Sequence, residues 1–321
     1  MIFGLVIFLP FYVVFKGGEP LWQIYRSDHN LFQIILSLRL NAGIAAIVCG
    51  AGLAACGLFL QTLFQNPLSS PYTLGVSSVS SMFIAFYILV GNIFPFLFTE
   101  NKLVFLVIQF GFSLFGAVLS LFLILKIQKR TFSNSLIVLV GILIGTFASS
   151  ITQIMEYLMS KEQLKTNFLW NLGSFEIFDN RFVFVLVIGI GICLVMYYKK
   201  ISDSNLFLLG HIYAQNAGLN IRFYQKYIFL ISAVLIALIT ALCGPIGFIG
   251  LISPHIAKLI LKVNHHKSLF YSTILIGANY AMICLIISHS QLFGTQIPIN
   301  TISALIGVPF TIYLMLKYFG N

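Results

Sequence analysis

Charged residues are scarce in this chain. Only 8% of its 321 residues are Asp, Glu, Lys or Arg, whereas 59% are hydrophobic, and the mean hydropathy is +1.00. A soluble domain carries about 25% charged residues, so a water-soluble globular fold is excluded. The apolar runs do not alternate with polar residues, which excludes a membrane barrel. The composition predicts an all-α polytopic membrane protein.

Motifs for catalysis and for nucleotide binding are missing. There is no G-x-x-x-x-G-K-[ST] phosphate-binding loop, nor any Gly-Lys dipeptide, so ATP hydrolysis by that route is excluded. The five cysteines lie in apolar runs and no two have metal-ligand spacing, so we expect buried thiols, no metal site and no cofactor. Ionisable side chains are nearly absent from the span interiors, which argues against an intramembrane enzyme and an ion-coupled carrier.

Long apolar runs are what the chain does have. We predict about ten membrane segments, near residues 2–15, 31–63, 72–90, 103–125, 136–159, 181–198, 227–243, 247–263, 269–288 and 299–317. No soluble domain is visible between them. We therefore expect one transmembrane domain over residues 1–321.

The basic residues lie on one side of these segments. With the amino terminus in the cytoplasm, the inner loops carry eleven of the 18 basic residues and one of the eight acids, and the outer loops carry seven of each. This distribution satisfies the positive-inside rule and predicts that both termini are cytoplasmic. The net charge of +10 is therefore explained by topology, and no nucleic-acid partner is expected.

Two connecting loops are long enough to hold structure of their own. Residues 160–180 predict an outer-surface loop with some helix. Residues 199–226 form the longest inner loop, whose apolar spacing predicts a short amphipathic helix ending at Gly218, with Asn216 as a further stop signal. From the residues alone, this helix either docks a partner or lies on the membrane interface.

Helix breakers interrupt two of the apolar runs, at 61–75 and at 244–255. The first reads QTLFQNPLSSPYTLG and the second GPIGFIGLISPH, and a third stretch near the carboxyl end, 298–314, reads PINTISALIGVPFTIYL. In this order the three stretches resemble motifs of the FecCD family of bacterial ABC-importer permeases, and the resemblance runs from about residue 35 to the carboxyl end. The residues that carry the structural part of these motifs are Asn66, Pro67, Gly244, Pro245, Gly247, Gly250, Pro254 and Pro298.

The resemblance implies a type II ABC importer permease of the bacterial cytoplasmic (inner) membrane. It implies three partners: cytoplasmic ABC ATPase subunits, a periplasmic or lipid-anchored substrate-binding protein, and a second permease subunit, identical or merely similar. Ferric siderophores are the expected cargo because they are the commonest in the family. Vitamin B12 or haem import is the alternative within the family, and an ion-coupled secondary transporter is the alternative outside it.

The resemblance also assigns roles to individual residues. Gly210, His211, Ala214 and Gly218 match the segment that couples to the ATPase, although the family often has an acid where His211 stands. Arg39 and His289 match positions that dock the binding protein. Ser133, Asn134 and Ser135 match a cytoplasmic gate.

Overall fold

Helices make up most of the described chain, because a segment inside a bilayer must pair its own backbone N–H and C=O groups. The structure is a computed structural model, and it describes residues 2–15, 25, 29–91, 102–128, 134–262, 265–290 and 296–319. Within these ranges there is no β-strand. The predicted all-α fold is confirmed.

Thirteen helices are present in the described residues. In chain order they are α1 (Ile2–Phe15), α2 (His29–Leu63), α3 (Val76–Val90), α4 (Lys102–Gln128), α5 (Asn134–Leu158), α6 (Lys161–Asn171), α7 (Asn180–Tyr198), α8 (Ile201–Leu208), α9 (His211–Asn216), α10 (Ile221–Cys243), α11 (Ile249–Leu261), α12 (His266–Ser288) and α13 (Ile299–Phe319). Six of these, α2, α4, α5, α7, α10 and α12, are long and apolar enough to cross a membrane, and α3, α11 and α13 are shorter apolar helices. Together with α1, they correspond to the ten predicted segments.

The longest helix, α2, forms the centre of the bundle. It packs against α1, α7, α10, α11 and α12. In its most apolar stretch 83% of the residues are buried, against 28% in the corresponding stretches of α5 and α7. In the part of the chain that the structure describes, α5 and α7 are therefore far more exposed than α2.

Glycines on α2 permit the closest helix crossings. A Cβ atom on Gly50 would overlap the Gly277 carbonyl of α12, and one on Gly57 would overlap the Gly250 carbonyl of α11. Backbones can approach this closely only where both side chains are small. The small residues spaced along α2 thus set its contacts with α11 and α12.

The first interrupted stretch turns the chain between α2 and α3. Asn66 Oδ1 accepts the Leu68 N–H at 2.9 Å, and the Thr73 hydroxyl donates to the Leu68 carbonyl at 2.7 Å. Gly75 adopts φ 68°, in the left-handed region, and packs against the α5 backbone. Helix α3 therefore begins at Val76, four residues later than the predicted segment.

The second interrupted stretch leads from α10 into α11. Gly244 has φ 75° and Phe248 has φ 62°, an uncommon value for a residue with a side chain. His255 of α11 donates its Nε2–H to the Pro67 carbonyl at 2.8 Å. The two interruptions therefore pack together, and His255 has the hydrogen-bonded structural role expected of it.

Candidate functional site

The inner loop between α7 and α10 contains two short helices, where the sequence predicted one. Gly210 separates α8 from α9 with φ 99°, a left-handed value that a side chain would disfavour. Helix α9 ends at Asn216, and Gly218 follows with φ 89°. Gly218 N–H donates to the Gln215 carbonyl and Leu219 N–H to the Ala214 carbonyl, both at 2.9 Å. This pair of bonds is a Schellman motif, so the predicted stop at Gly218 is confirmed.

Helices α8 and α9 differ in which residues they expose. Ile201 and Phe207 bury α8 against the bundle. Ala214 is the buried residue of α9, whereas Leu209, Ile212 and Tyr213 are exposed, Ile212 by 74%. We call these three exposed residues the α9 patch. A patch of large apolar side chains beside an aqueous surface is typical of a protein contact site.

The two residues predicted to dock an outer partner lie at the opposite end of the bundle. Arg39 is 5% exposed and donates to the Val13 and Val14 carbonyls at 2.9 and 3.2 Å, at the end of α1. His289 is also 5% exposed, and its ring contacts that of Tyr12, likewise on α1, at 5.6 Å between centroids. Both residues thus hold α1 in place, and their docking role stays a prediction.

Both ring nitrogens of His289 face oxygen atoms. Nδ1 lies 3.0 Å from the Leu285 carbonyl and Nε2 lies 2.8 Å from Glu176 Oε1. A carbonyl and a carboxylate are both acceptors, so each nitrogen donates when the imidazole is protonated. An incoming carboxylate would have to replace Glu176 to reach this histidine.

The remaining predicted residues are placed only in part. Ser133 lies outside the described residues, and Asn134 is the first residue of α5, followed by Ser135. The gate assigned to these three residues stays a prediction. Gly210, His211 and Gly218, which are predicted to couple to the ATPase, lie at the ends of α9 and define its start and stop, and their coupling role stays a prediction.

A polar face on α5 was missed by the sequence reasoning. Thr146, Ser149, Ser150 and Gln153 are all exposed and recur every three or four residues, which places them on one side of the helix. The three hydroxyls donate to carbonyls of their own helix at 2.9 to 3.0 Å. The Gln153 amide has no hydrogen bond within the described part of the chain. The spacing of these polar residues was visible in the sequence and could have indicated the face.

The two interrupted stretches also line one open pocket. Tyr72 from the first and Phe248 from the second face the outer half of α13, including Asn300, Leu305 and Val308, across a cavity of about 590 Å³. Their rings lie 5.6 Å apart. The walls are mostly apolar, and Asn300 Oδ1 accepts the Gly247 N–H at 3.2 Å. The helix breakers thus shape this cavity, and irregular backbone that lines a cavity is tolerated in membrane proteins.

The fold and these surfaces define a class: a multi-pass, all-helical membrane protein with an exposed apolar patch on one loop and no phosphate-binding-loop motif in its sequence. The sequence model of the FecCD transport family matches residues 2–317, and the chain belongs to that family. It is an ABC importer permease, a channel-forming subunit whose ATPase is a separate chain. This family assignment decides against the ion-coupled transporter.

Two curated relatives are similar over nearly the whole chain. The vitamin B12 import system permease protein BtuC of Klebsiella pneumoniae is 28% identical over 332 residues, covering 100% of this chain and 94% of BtuC. The molybdate import system permease protein MolB of Haemophilus influenzae is 29% identical over 296 residues, covering 91% of this chain and 84% of MolB. The family therefore includes permeases for different cargoes.

Solved structures share the fold. An inward-facing structure described as a metal-chelate type ABC transporter matches with a TM-score of 0.79 and 27% identity, covering 98% of both chains. PsaBC from Streptococcus pneumoniae matches with a TM-score of 0.62 and 17% identity, covering 92% of this chain and 94% of that one. The second likeness concerns the fold alone.

Proposed function

We propose that this permease imports ferric siderophores. The observation that carries the proposal is the likeness, over 98% of both chains, to a transporter described as metal-chelate type. Vitamin B12 is the second candidate, because BtuC proteins are similar over almost the entire chain. Both cargoes are bulky metal complexes, which suits a pathway with few charged groups.

The α9 patch is the proposed seat of the ATPase. It offers three large exposed apolar side chains, Ile212 and Tyr213 between the left-handed glycines Gly210 and Gly218, and Leu209 immediately before the first of them. Buried aromatic and aliphatic anchors supply most of the affinity in protein interfaces. The nucleotide-driven motion of the ATPase therefore enters the permease through α9.

The pathway is proposed to run along the polar face of α5 and the pocket beside α13. Hydroxyl and amide groups on an exposed face at membrane depth suit a water-filled passage better than lipid. That face of α5 is exposed among the residues that the structure describes, so a second permease subunit, identical or similar, completes the wall. The whole chain acts as one transmembrane domain in this arrangement.

Orientation and docking complete the proposal. The charge asymmetry supports cytoplasmic termini and location in the bacterial cytoplasmic membrane. The outer edge at Arg39 and His289 would then face a periplasmic or lipid-anchored binding protein. A carboxylate of that protein would exchange with Glu176 on His289, a contact that steers association more than it adds affinity.

Reconstitution tests the cargo directly. The permease, its ATPase and its binding protein are placed in liposomes with ATP at the ATPase side, and radiolabelled ferric siderophore, cyanocobalamin and molybdate are offered separately. Uptake of the ferric siderophore alone, abolished by a catalytically inactive ATPase, is the expected result. Uptake of cyanocobalamin alone would replace the siderophore proposal with the B12 one. Uptake that survives the inactive ATPase would overturn ATP-driven import altogether.

A further inference from the structure

The first turn of α12 is capped by a side chain from another helix. The residue in the usual capping position, His265, makes no side-chain cap bond. Instead Asn205 of α8 accepts the His266 N–H on its Oδ1 at 2.9 Å. A helix start needs such acceptors, because its first N–H groups have no partner within the helix. The start of α12 is therefore attached to α8, which lies 61 residues earlier in the chain.

Helix α8 is held firmly to the bundle and to α9. Ser204 is fully buried, and its hydroxyl lies 2.7 Å from the Tyr224 hydroxyl of α10. Phe207 packs against the same tyrosine ring at 5.1 Å between centroids. Helix α9 packs on both α8 and α10 through its inward side, where Ala214 is buried. A displacement of the α9 patch is thus carried to α8.

The contact continues from α12 into α2. His266 is buried, and its Nε2 lies 2.9 Å from the Thr62 hydroxyl. That hydroxyl gives its one proton to the Leu58 carbonyl at 3.0 Å, so His266 Nε2–H donates to Thr62. The imidazole of the first residue of α12 therefore ties α12 to the last turn of α2.

The last turn of α2 in turn holds α11. Gln61, beside Thr62, donates to the Leu251 carbonyl at 3.2 Å and accepts from Lys258 Nζ at 3.5 Å. From α11, His255 reaches the Pro67 carbonyl of the first interrupted stretch. Polar contacts between helices, joined by the backbones of α2 and α11, thus connect α8 to the stretch that leads to Tyr72 and the pocket.

We propose that Asn205 is a positioning residue for transport: it transmits displacement of the ATPase-docking segment to α12 and onward to the 64–75 stretch. The proposal rests on the proposed function, in which the ATPase acts on α9. Backbone capping suits this task because the link joins a side chain to the end of a rigid helix, so α12 must move with α8 or lose its cap.

Fluorescence from a label at a single position distinguishes a loss of transmitted displacement from a loss of protein stability. The permease–ATPase complex is placed in lipid nanodiscs, and bimane is attached to Gln215→Cys, an exposed position of α9 outside the α9 patch, or, in a second sample, to Tyr271→Cys on the exposed side of α12. The parent chain is the labelling control, because its five cysteines are all buried. Each spectrum is recorded without nucleotide and with ATP plus vanadate. Three chains are compared in this way: one that keeps Asn205, one with Asn205→Ala and one with Asn205→Asp, which keeps the acceptor oxygen. Asp179→Ala is the matched control, since it removes an equivalent cap at the outer end of α7.

The expected result is a selective loss of signal on α12. In Asn205→Ala the nucleotide-dependent change at residue 215 persists, while the change at residue 271 falls roughly fivefold, the effect of one lost cap on a two-state equilibrium. Asn205→Asp restores the signal, and Asp179→Ala leaves it intact although it lowers the melting temperature to a similar degree. An unchanged signal at residue 271 in Asn205→Ala, or an equal loss in Asp179→Ala, overturns the inference alone. No nucleotide response at residue 215 in the labelled chain that keeps Asn205 overturns the proposed coupling through α9 as well.

Discussion

Truncating Ile212 is expected to weaken ATPase binding by roughly 20-fold. Ile→Ala removes three carbon groups, worth about 2.4 kcal/mol when fully buried at about 0.8 kcal/mol each. Ile212 is 74% exposed before docking, so about 1.8 kcal/mol of that burial is available to the interface. This free energy corresponds to a dissociation constant raised roughly 20-fold.

The assay is binding of the purified ATPase to the permease in nanodiscs, followed by interferometry. Ile188→Ala is the control, because Ile188 is an exposed isoleucine in the middle of α7 that a cytosolic protein cannot reach. The weakening of Ile212→Ala should change little with salt, since the contact is apolar. A dissociation constant within twofold of the parent, or an equal change in Ile188→Ala, would refute the assignment of the α9 patch to the ATPase.

Three further substitutions test other parts of the structure. His255→Ala should destabilise the permease by about 1–3 kcal/mol, because the Pro67 carbonyl loses its donor. Thermal unfolding in detergent measures this loss of stability, and an unchanged melting temperature would contradict the prediction. Gly218→Ala should lower the free energy of unfolding by about 1 kcal/mol, because a side chain disfavours the left-handed backbone at this position. No steric clash is expected, since the space around Gly218 is open, so a larger loss would point to an unseen contact. Gln153→Cys should react with a charged, membrane-impermeant thiol reagent and Phe184→Cys on α7 should not; equal reactivity would contradict a watery passage along α5.

The glycines and prolines that interrupt the apolar runs have two roles: they permit close helix packing, and they shape a pocket. Gly57 and Gly250 permit a close approach of α2 and α11 that no side chain would allow. The same interruptions place Tyr72 and Phe248 at an open pocket beside α13. The positive φ of Phe248 is a strained conformation, which occurs most often where function requires it. The strained turn therefore supports the proposed place of the pocket in the pathway.

Much of the fold was predictable because membrane helices obey local rules. Each span must satisfy its backbone internally, so apolar length alone located ten helices. The stop at Gly218 was equally local, because a left-handed glycine closes the last turn of α9 with bonds to residues three and five positions earlier. The split at Gly210 was missed, because Gly210 lies within an otherwise regular apolar pattern.

Contacts between helices that are distant in the chain could not be predicted from the sequence. Arg39 and His289 were predicted to dock a partner, yet the structure buries both against the end of α1. Packing brings backbone carbonyls to Arg39 and the Glu176 carboxylate to His289. His265 and His266 are neighbours in the chain, yet only His265 is exposed. Adjacent residues on a helix point in different directions, and the bundle decides which one is buried.

By itself the amino-acid sequence determined the class of the molecule, its ten apolar segments, the side on which its basic residues lie and the end of α9, since these follow from hydropathy, charge and backbone conformation along the chain. Tertiary structure alone decided that Asn205 meets His266, that His255 meets Pro67 and that a polar face of α5 stays open. Such choices depend on which helices lie side by side. Interhelical packing sets that neighbourhood, and it leaves no periodic trace in a single chain.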